Sequence, residues 1–137
     1  MDDNGHFSVD DANALIPRLE MLMERMQRAA RTVRIALQDM GDEAGEGPRT
    51  TAEVLQLRPD LEPSVREIEG SVGEVESLGC QFKGIDLGLV DFPTEIDGTP
   101  VLLCWQYGEK EVSYWHTPDE GFAGRRAIFA DDIPPLQ

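Results

Sequence analysis

The stretch PVLLCWQYGEKEVSYWH, residues 100–116, holds both tryptophans, both tyrosines and one of the two histidines of a 137-residue chain that is 7% aromatic. β-Branched and aromatic residues on either side of a Gly-Glu-Lys turn read as a β-hairpin. Turn length then decides which side chains meet, because opposed residues in an antiparallel pair share a face. A four-residue loop over 108–111 sets Trp105 against Tyr114, Leu103 against His116 and Cys104 against Trp115. A three-residue loop over 109–111 sets Cys104 across from His116, where thiol and imidazole could share a metal.

Before the hairpin, Asp97-Gly98 marks a tight turn, so residues 89–94 are expected to be extended and to pair with its first strand. Residues 81–90 are mixed and turn-like, and the tail from Thr117, with EGFAGRR and DDIPPLQ, reads as loop or coil. Ahead of Gly79 the period is helical. Leu15, Leu19, Leu22, Met26, Ala29, Val33, Leu37 and Met40 recur at steps of three and four, which predicts a long amphipathic helix over residues 8–40. Ser8 with Asp11 approximates a capping box, and Phe7 stands in the staple position. Pro17 is expected to kink this helix or to mark a short first turn. Unbroken, the helix would span roughly 48 Å, more than the core of a small domain covers.

GDEAGEGPR, residues 41–49, reads as a flexible loop, and residues 50–57 as a short helix capped by Thr50 and Glu53 and ended by Pro59. A second long helix starts near Pro63, carries Val65, Ile68, Val72, Val75 and Leu78 on one face and stops at Gly79. Gly70 and Gly73 lower its intrinsic stability by about 1 kcal/mol each against alanine, so packing must hold it. The fold expected is α+β in a single domain, 1–137. A long antiparallel helical hairpin over about 8–79 precedes a small antiparallel sheet, β-hairpin plus one extended segment, within about 84–129.

A net charge of −15, from 12 basic and 27 acidic residues, argues against nucleic acid and anionic membrane as partners, since both are bound chiefly through neutralised phosphates. No run of apolar residues is long enough to span a bilayer, and the start MDDNGHFSVDD is acidic where a secretory signal would be basic. A cytoplasmic location is expected. Cys80 and Cys104 lack the spacing of a zinc ribbon or a disulfide scaffold and read as reduced thiols.

Four residues are candidate metal ligands: Asp91, Cys104, Glu109 and His116. Imidazole, thiolate and carboxylate together suit a divalent transition metal. Against this, and more readily, Cys104 inside VLLCW reads as a small buried hydrophobe and His116 as a strand-end histidine satisfied by a backbone carbonyl. Trp105, Tyr114, Trp115 and Arg125 are candidates for a small-molecule ligand site, the aromatics by stacking and the arginine by capturing an anion. Trp105 paired with Tyr114 would also stabilise the sheet without any ligand. No nucleophile elbow, phosphate loop or dinucleotide fingerprint occurs.

FSVDDANALIPRLE, residues 7–20, and GIDLGLVDFPTEIDGTPVLLCWQYGEKEVSYWHTPDEGFAGR, residues 84–125, resemble an uncharacterised prokaryotic family catalogued as domain of unknown function 2203. The resemblance implies a small cytoplasmic protein and gives weight to Asp91, Cys104, Trp105, Gly108, Glu109, Trp115, His116, Gly121, Phe122, Gly124 and Arg125. It implies no activity. The reading that follows is a protein that self-associates, as a homodimer, through the uncovered apolar length of its first helix, with a ligand or metal pocket beside the hairpin. A metal-dependent enzyme using carboxylate and histidine ligands, and a scaffold that binds a protein partner, are the alternatives.

Overall fold

In the computed structural model, which describes residues 6–39 and 50–128, helix α1 runs over Val9–Asp39. Its start is fixed by the expected capping box: Asp11 N–H donates to Ser8 Oγ at 2.8 Å, and Ser8 N–H donates to Asp11 Oδ2 at 3.2 Å. Phe7, ahead of the cap, is buried edge-on against Phe92 and hands its N–H to the Pro93 carbonyl, which ties the helix start to the sheet. Pro17 does not end the helix. It is exposed, and the turns on both sides are pinned by buried Ala12, Ile16, Leu19 and Leu22, so packing outweighs the lost hydrogen bond.

Helix α2, Thr51–Leu57, begins at its expected Thr50 cap, where Glu53 N–H donates to Thr50 Oγ1 at 3.1 Å. A single 3₁₀ turn over Pro59–Leu61 leads into α3, Glu62–Ser77, which packs along α1. Arg18 and Glu74 form an ion pair between the two helices. The apolar length of α1 that outruns α3 is covered within the chain: Ala36, Val54 and Leu61 form a second small core, with Val33, Leu37 and Leu55 against it. That stretch therefore does not by itself call for a partner. Met40, the 41–49 loop and the tail from residue 129 lie outside the described residues.

The sheet has five antiparallel strands in chain order: β1 Gln81–Gly84, β2 Leu89–Ile96, β3 Thr99–Gln106, β4 Tyr114–His116 and β5 Arg126–Ala127. It is larger than expected at both ends. Residues 81–84, read as turn-like, form β1, and the tail read as coil supplies a 3₁₀ turn, Phe122–Gly124, and then β5. Both are short segments whose pairing comes from neighbours rather than from their own alternation. Asp97 and Gly98, both at positive φ, form the expected two-residue turn between β2 and β3.

One face of the sheet meets the helices. Val90, Phe92, Leu103 and Trp105 join Leu19, Leu22, Met23, Met26 and Val75 in the main core. Among the described residues, no helix is long and apolar enough to cross a membrane.

Candidate metal centre

Alternation along β2 and β3 sends every second side chain to the face away from the helices. On β2 that places Asp91 outward between Val90 and Phe92, and on β3 it places Cys104 outward between Leu103 and Trp105. The Asp97-Gly98 turn fixes the pairing Asp91↔Cys104, so these two sit side by side. The β3–β4 register is Leu102↔His116, Leu103↔Trp115 and Cys104↔Tyr114. This is neither of the two registers expected from the sequence. The connection is irregular because it is held at two points, one distant and one local: Val112 N–H donates to Asn13 Oδ1 at 2.6 Å, and Trp105 Nε1–H donates to the Glu109 carbonyl at 3.0 Å. Cys104 and His116 become diagonal neighbours on one face instead of directly opposed residues.

Asp91, Cys104 and His116 thus converge. One ligand atom from each lies within 4.8 Å of the others, and the residues are 2%, 1% and 3% exposed. His116 Nδ1 is 2.8 Å from the Thr117 carbonyl, which can only accept, so Nδ1 carries a proton. Its Nε2 is 2.9 Å from Asp91 Oδ2. A single proton is therefore shared across that contact, and the pair is neutral overall whichever atom holds it. Asp91 Oδ1 is buried with no hydrogen-bond partner among the described residues. Burial, reinforced by the charge of Asp91 and opposed by Arg125, pushes the Cys104 thiol up to about 12. Lys83 Nζ stands 3.8 Å from Asp91 Oδ2 with its side chain half in solvent.

Glu109 lies apart from this cluster. Its carboxylate accepts two hydrogen bonds from Arg125 Nη2, at 2.8 and 2.9 Å, and one from the Gln106 N–H at 2.7 Å. Arg125 also lies over the Tyr114 ring at 4.1 Å and the Phe122 ring at 4.8 Å, and donates to the Cys104 carbonyl. Burial works against the Arg125 charge, and Glu109 overcomes it, holding the guanidinium above its ordinary value. Arg125 is therefore committed to a carboxylate and two rings.

The aromatic candidates divide across the sheet. Trp105 is in the helix-facing core, opposite Val90, and not paired with Tyr114. Trp115 packs against that same core, with Arg126 over its ring at 4.9 Å. Tyr114 is on the outer face with Cys104. Both expectations for the outer-face pair hold at once: Cys104 is a buried thiol and His116 does bond a backbone carbonyl, yet their remaining atoms meet Asp91. The signal that could have joined Asp91 to Cys104 was the two-residue Asp-Gly turn, which sets the strand register by itself.

The sequence pattern of the family described as Uncharacterized conserved protein (DUF2203) matches residues 6–128, which include α1 to β5 and all three converging side chains. The chain belongs to this family. No curated protein and no solved structure matches it.

Asp91, Cys104 and His116 suit a metal in kind and nearly in spacing. Tetrahedral zinc at its usual bond lengths needs donors roughly 3.3–3.8 Å apart. The Asp91–His116 separation of 2.9 Å is that of a proton-bridged contact, so an ion would replace the proton and open the pair by a few tenths of an ångström, or use Asp91 Oδ1 instead.

Proposed function

We propose that this family member is a metal-binding protein that holds one divalent transition metal, zinc by preference, through Asp91, Cys104 and His116. The observation that carries this reading is the buried convergence of three donors of different chemistry, with Asp91 Oδ1 lacking a hydrogen-bond partner among the described residues. Charge bookkeeping supports it. A doubly charged ion would displace two protons, that of the Cys104 thiol and the one shared by Asp91 and His116, so the buried site stays neutral. Imidazole, thiolate and carboxylate favour zinc over the hard cations calcium and magnesium.

Protein purified without chelator is expected to contain about one zinc per chain by elemental mass spectrometry. His116→Ala and Cys104→Ser are each expected to lose it while circular dichroism shows the fold retained. Metal-free protein that takes up no zinc would overturn the reading and leave the three residues as a polar staple between β2, β3 and β4.

Three protein donors leave a four-coordinate ion one position for water, and that donor count favours metal-dependent hydrolysis as a second reading. The chain's contribution would be Lys83, the cation at the edge of the cluster, placed to attract an anionic substrate group. Cobalt substitution tests this reading. Visible bands that shift when acetate or phosphate is added would support an open position, and bands indifferent to both would leave a closed structural ion.

A further inference from the structure

The turn between β1 and β2, residues 85–88, folds back against the middle of α1 and leaves a cleft of about 400 Å³ between them. Gly88 permits this approach. At φ +68° it stands where an added Cβ would come within 2.5 Å of Tyr107 Cβ and 3.3 Å of Met23 Cγ. Gln27 Nε2–H donates to the Ile85 carbonyl at 2.9 Å, and Tyr107 N–H donates to the Gly88 carbonyl at 2.8 Å, so the turn is pinned at both ends. The cleft is therefore preformed. Gln27, Ala30, Arg31 and Arg34 line it from one face of α1, three and four residues apart, and Ile85 and Asp86 line it from the turn.

Its charge runs against that of the chain. Residues 25–38 of α1 carry four arginines and no acid, although the net charge is −15. Arg31 enters no ion pair among the described residues. Arg34 Nη2 is 3.2 Å from Asp86 Oδ1, and the Asp86 side chain is 86% exposed. An ion pair so open to water contributes little, so Asp86 is readily displaced into solvent. Its carboxylate marks, within the chain itself, where an oxyanion sits.

We propose that this cleft binds a small molecule through a phosphate monoester, taken between Arg31 and Arg34. A phosphate brings nearly two negative charges at neutral pH and three acceptor oxygens, so it answers both guanidinium groups where the single charge of Asp86 answers one. The volume of about 400 Å³ lies within the roughly 300–1,000 Å³ of small-molecule sites. That leaves room beside the phosphate for an organic body, laid against Ala30 and Ile85. None of these residues belongs to the cluster of Asp91, Cys104 and His116, so this site and the metal reading stand or fall separately.

Titration of the full chain with phenyl phosphate, followed by amide NMR shifts in phosphate-free buffer, tests this. Saturable shifts are expected at residues 27–34 and 85–88, with a Kd below about 1 mM, and inorganic phosphate is expected to bind more weakly. Arg31→Gln is expected to weaken binding at least about tenfold with thermal melting unchanged. Asp86→Asn keeps the shape and removes the competing charge, so it is expected to strengthen binding severalfold, a change of opposite sign that loss of fold cannot give. The proposal is overturned by shifts confined to residues 91, 104 and 116, by no saturation at about 10 mM, or by an Asp86→Asn chain that binds no better. Benzoate or inorganic phosphate binding as tightly as phenyl phosphate would overturn it too, the first by removing the phosphate and the second by removing the organic body.

Discussion

The two faces of the sheet differ in what fills them. Toward the helices, Val90, Phe92, Leu103 and Trp105 are buried apolar side chains, as alternation and hydrophobicity require. On the opposite face, one residue along on each strand, Asp91, Cys104 and His116 are buried just as deeply. Burial of an acid and an imidazole works against folding unless they are bonded to one another, and one oxygen of Asp91 accepts no hydrogen bond among the described residues. The first face explains itself by stability. The second departs from that logic, which marks it as the candidate site.

The largest expected effect is on the apolar face. Trp105→Ala removes a fully buried ring and is expected to destabilise by about 3–5 kcal/mol in urea unfolding. Truncating the polar face should come close: His116→Ala leaves Asp91 buried without its partner, and in metal-free protein a loss of about 3–4 kcal/mol is expected. The sharper comparison replaces the cluster whole. Asp91→Leu, Cys104→Val and His116→Phe together are expected to be neutral or to stabilise by about 1–4 kcal/mol while abolishing zinc uptake. If the triple variant instead fails to fold, the cluster belongs to the core and the contrast between the faces collapses.

A smaller effect is expected at the clamp beside the cluster. Glu109→Gln keeps shape but removes the charge facing Arg125, and a loss of about 1–2 kcal/mol is expected by thermal melting. The cysteines provide a pH test. Burial raises the thiols of both Cys80 and Cys104 from 9.0 to about 12 in the folded protein. A thiol whose folded pKa lies above its unfolded one contributes stability that is complete below pH 9 and lost as pH rises toward 12. Metal-free protein should therefore lose stability across that window, and zinc, which requires the thiolate, should bind more tightly as pH rises toward it. Zinc affinity that does not rise with pH would remove Cys104 from the ligand set.

The elements were largely legible, because local chemistry writes them. The Ser8 and Thr50 caps, the steps of three and four in α1 and α3, the stop at Gly79 and the Asp97-Gly98 turn all stand in the structure where the sequence puts them. Residues 81–84 and 126–127 were not legible as strands, since each is too short to show a period and takes its conformation from the strand it pairs with. The candidate site was legible as a set of residue types but not as an arrangement. Asp91, Cys104 and His116 could be named by chemistry, whereas Glu109 differed from Asp91 in no local way and is separated from it only by its position beside Arg125.

Sequence alone thus determined which segments are helix and hairpin, and which side chains could carry chemistry, because capping, turn preference and periodicity act over a few residues. Tertiary structure decided the register between β3 and β4, through contacts as distant as Asn13 to Val112. Strand side chains alternate with a period of two, so a shift of one residue in that register would have turned His116 away from Cys104 and Asp91. No local rule could choose between those arrangements, since the energy that selects one comes from a helix ninety-nine residues earlier in the chain.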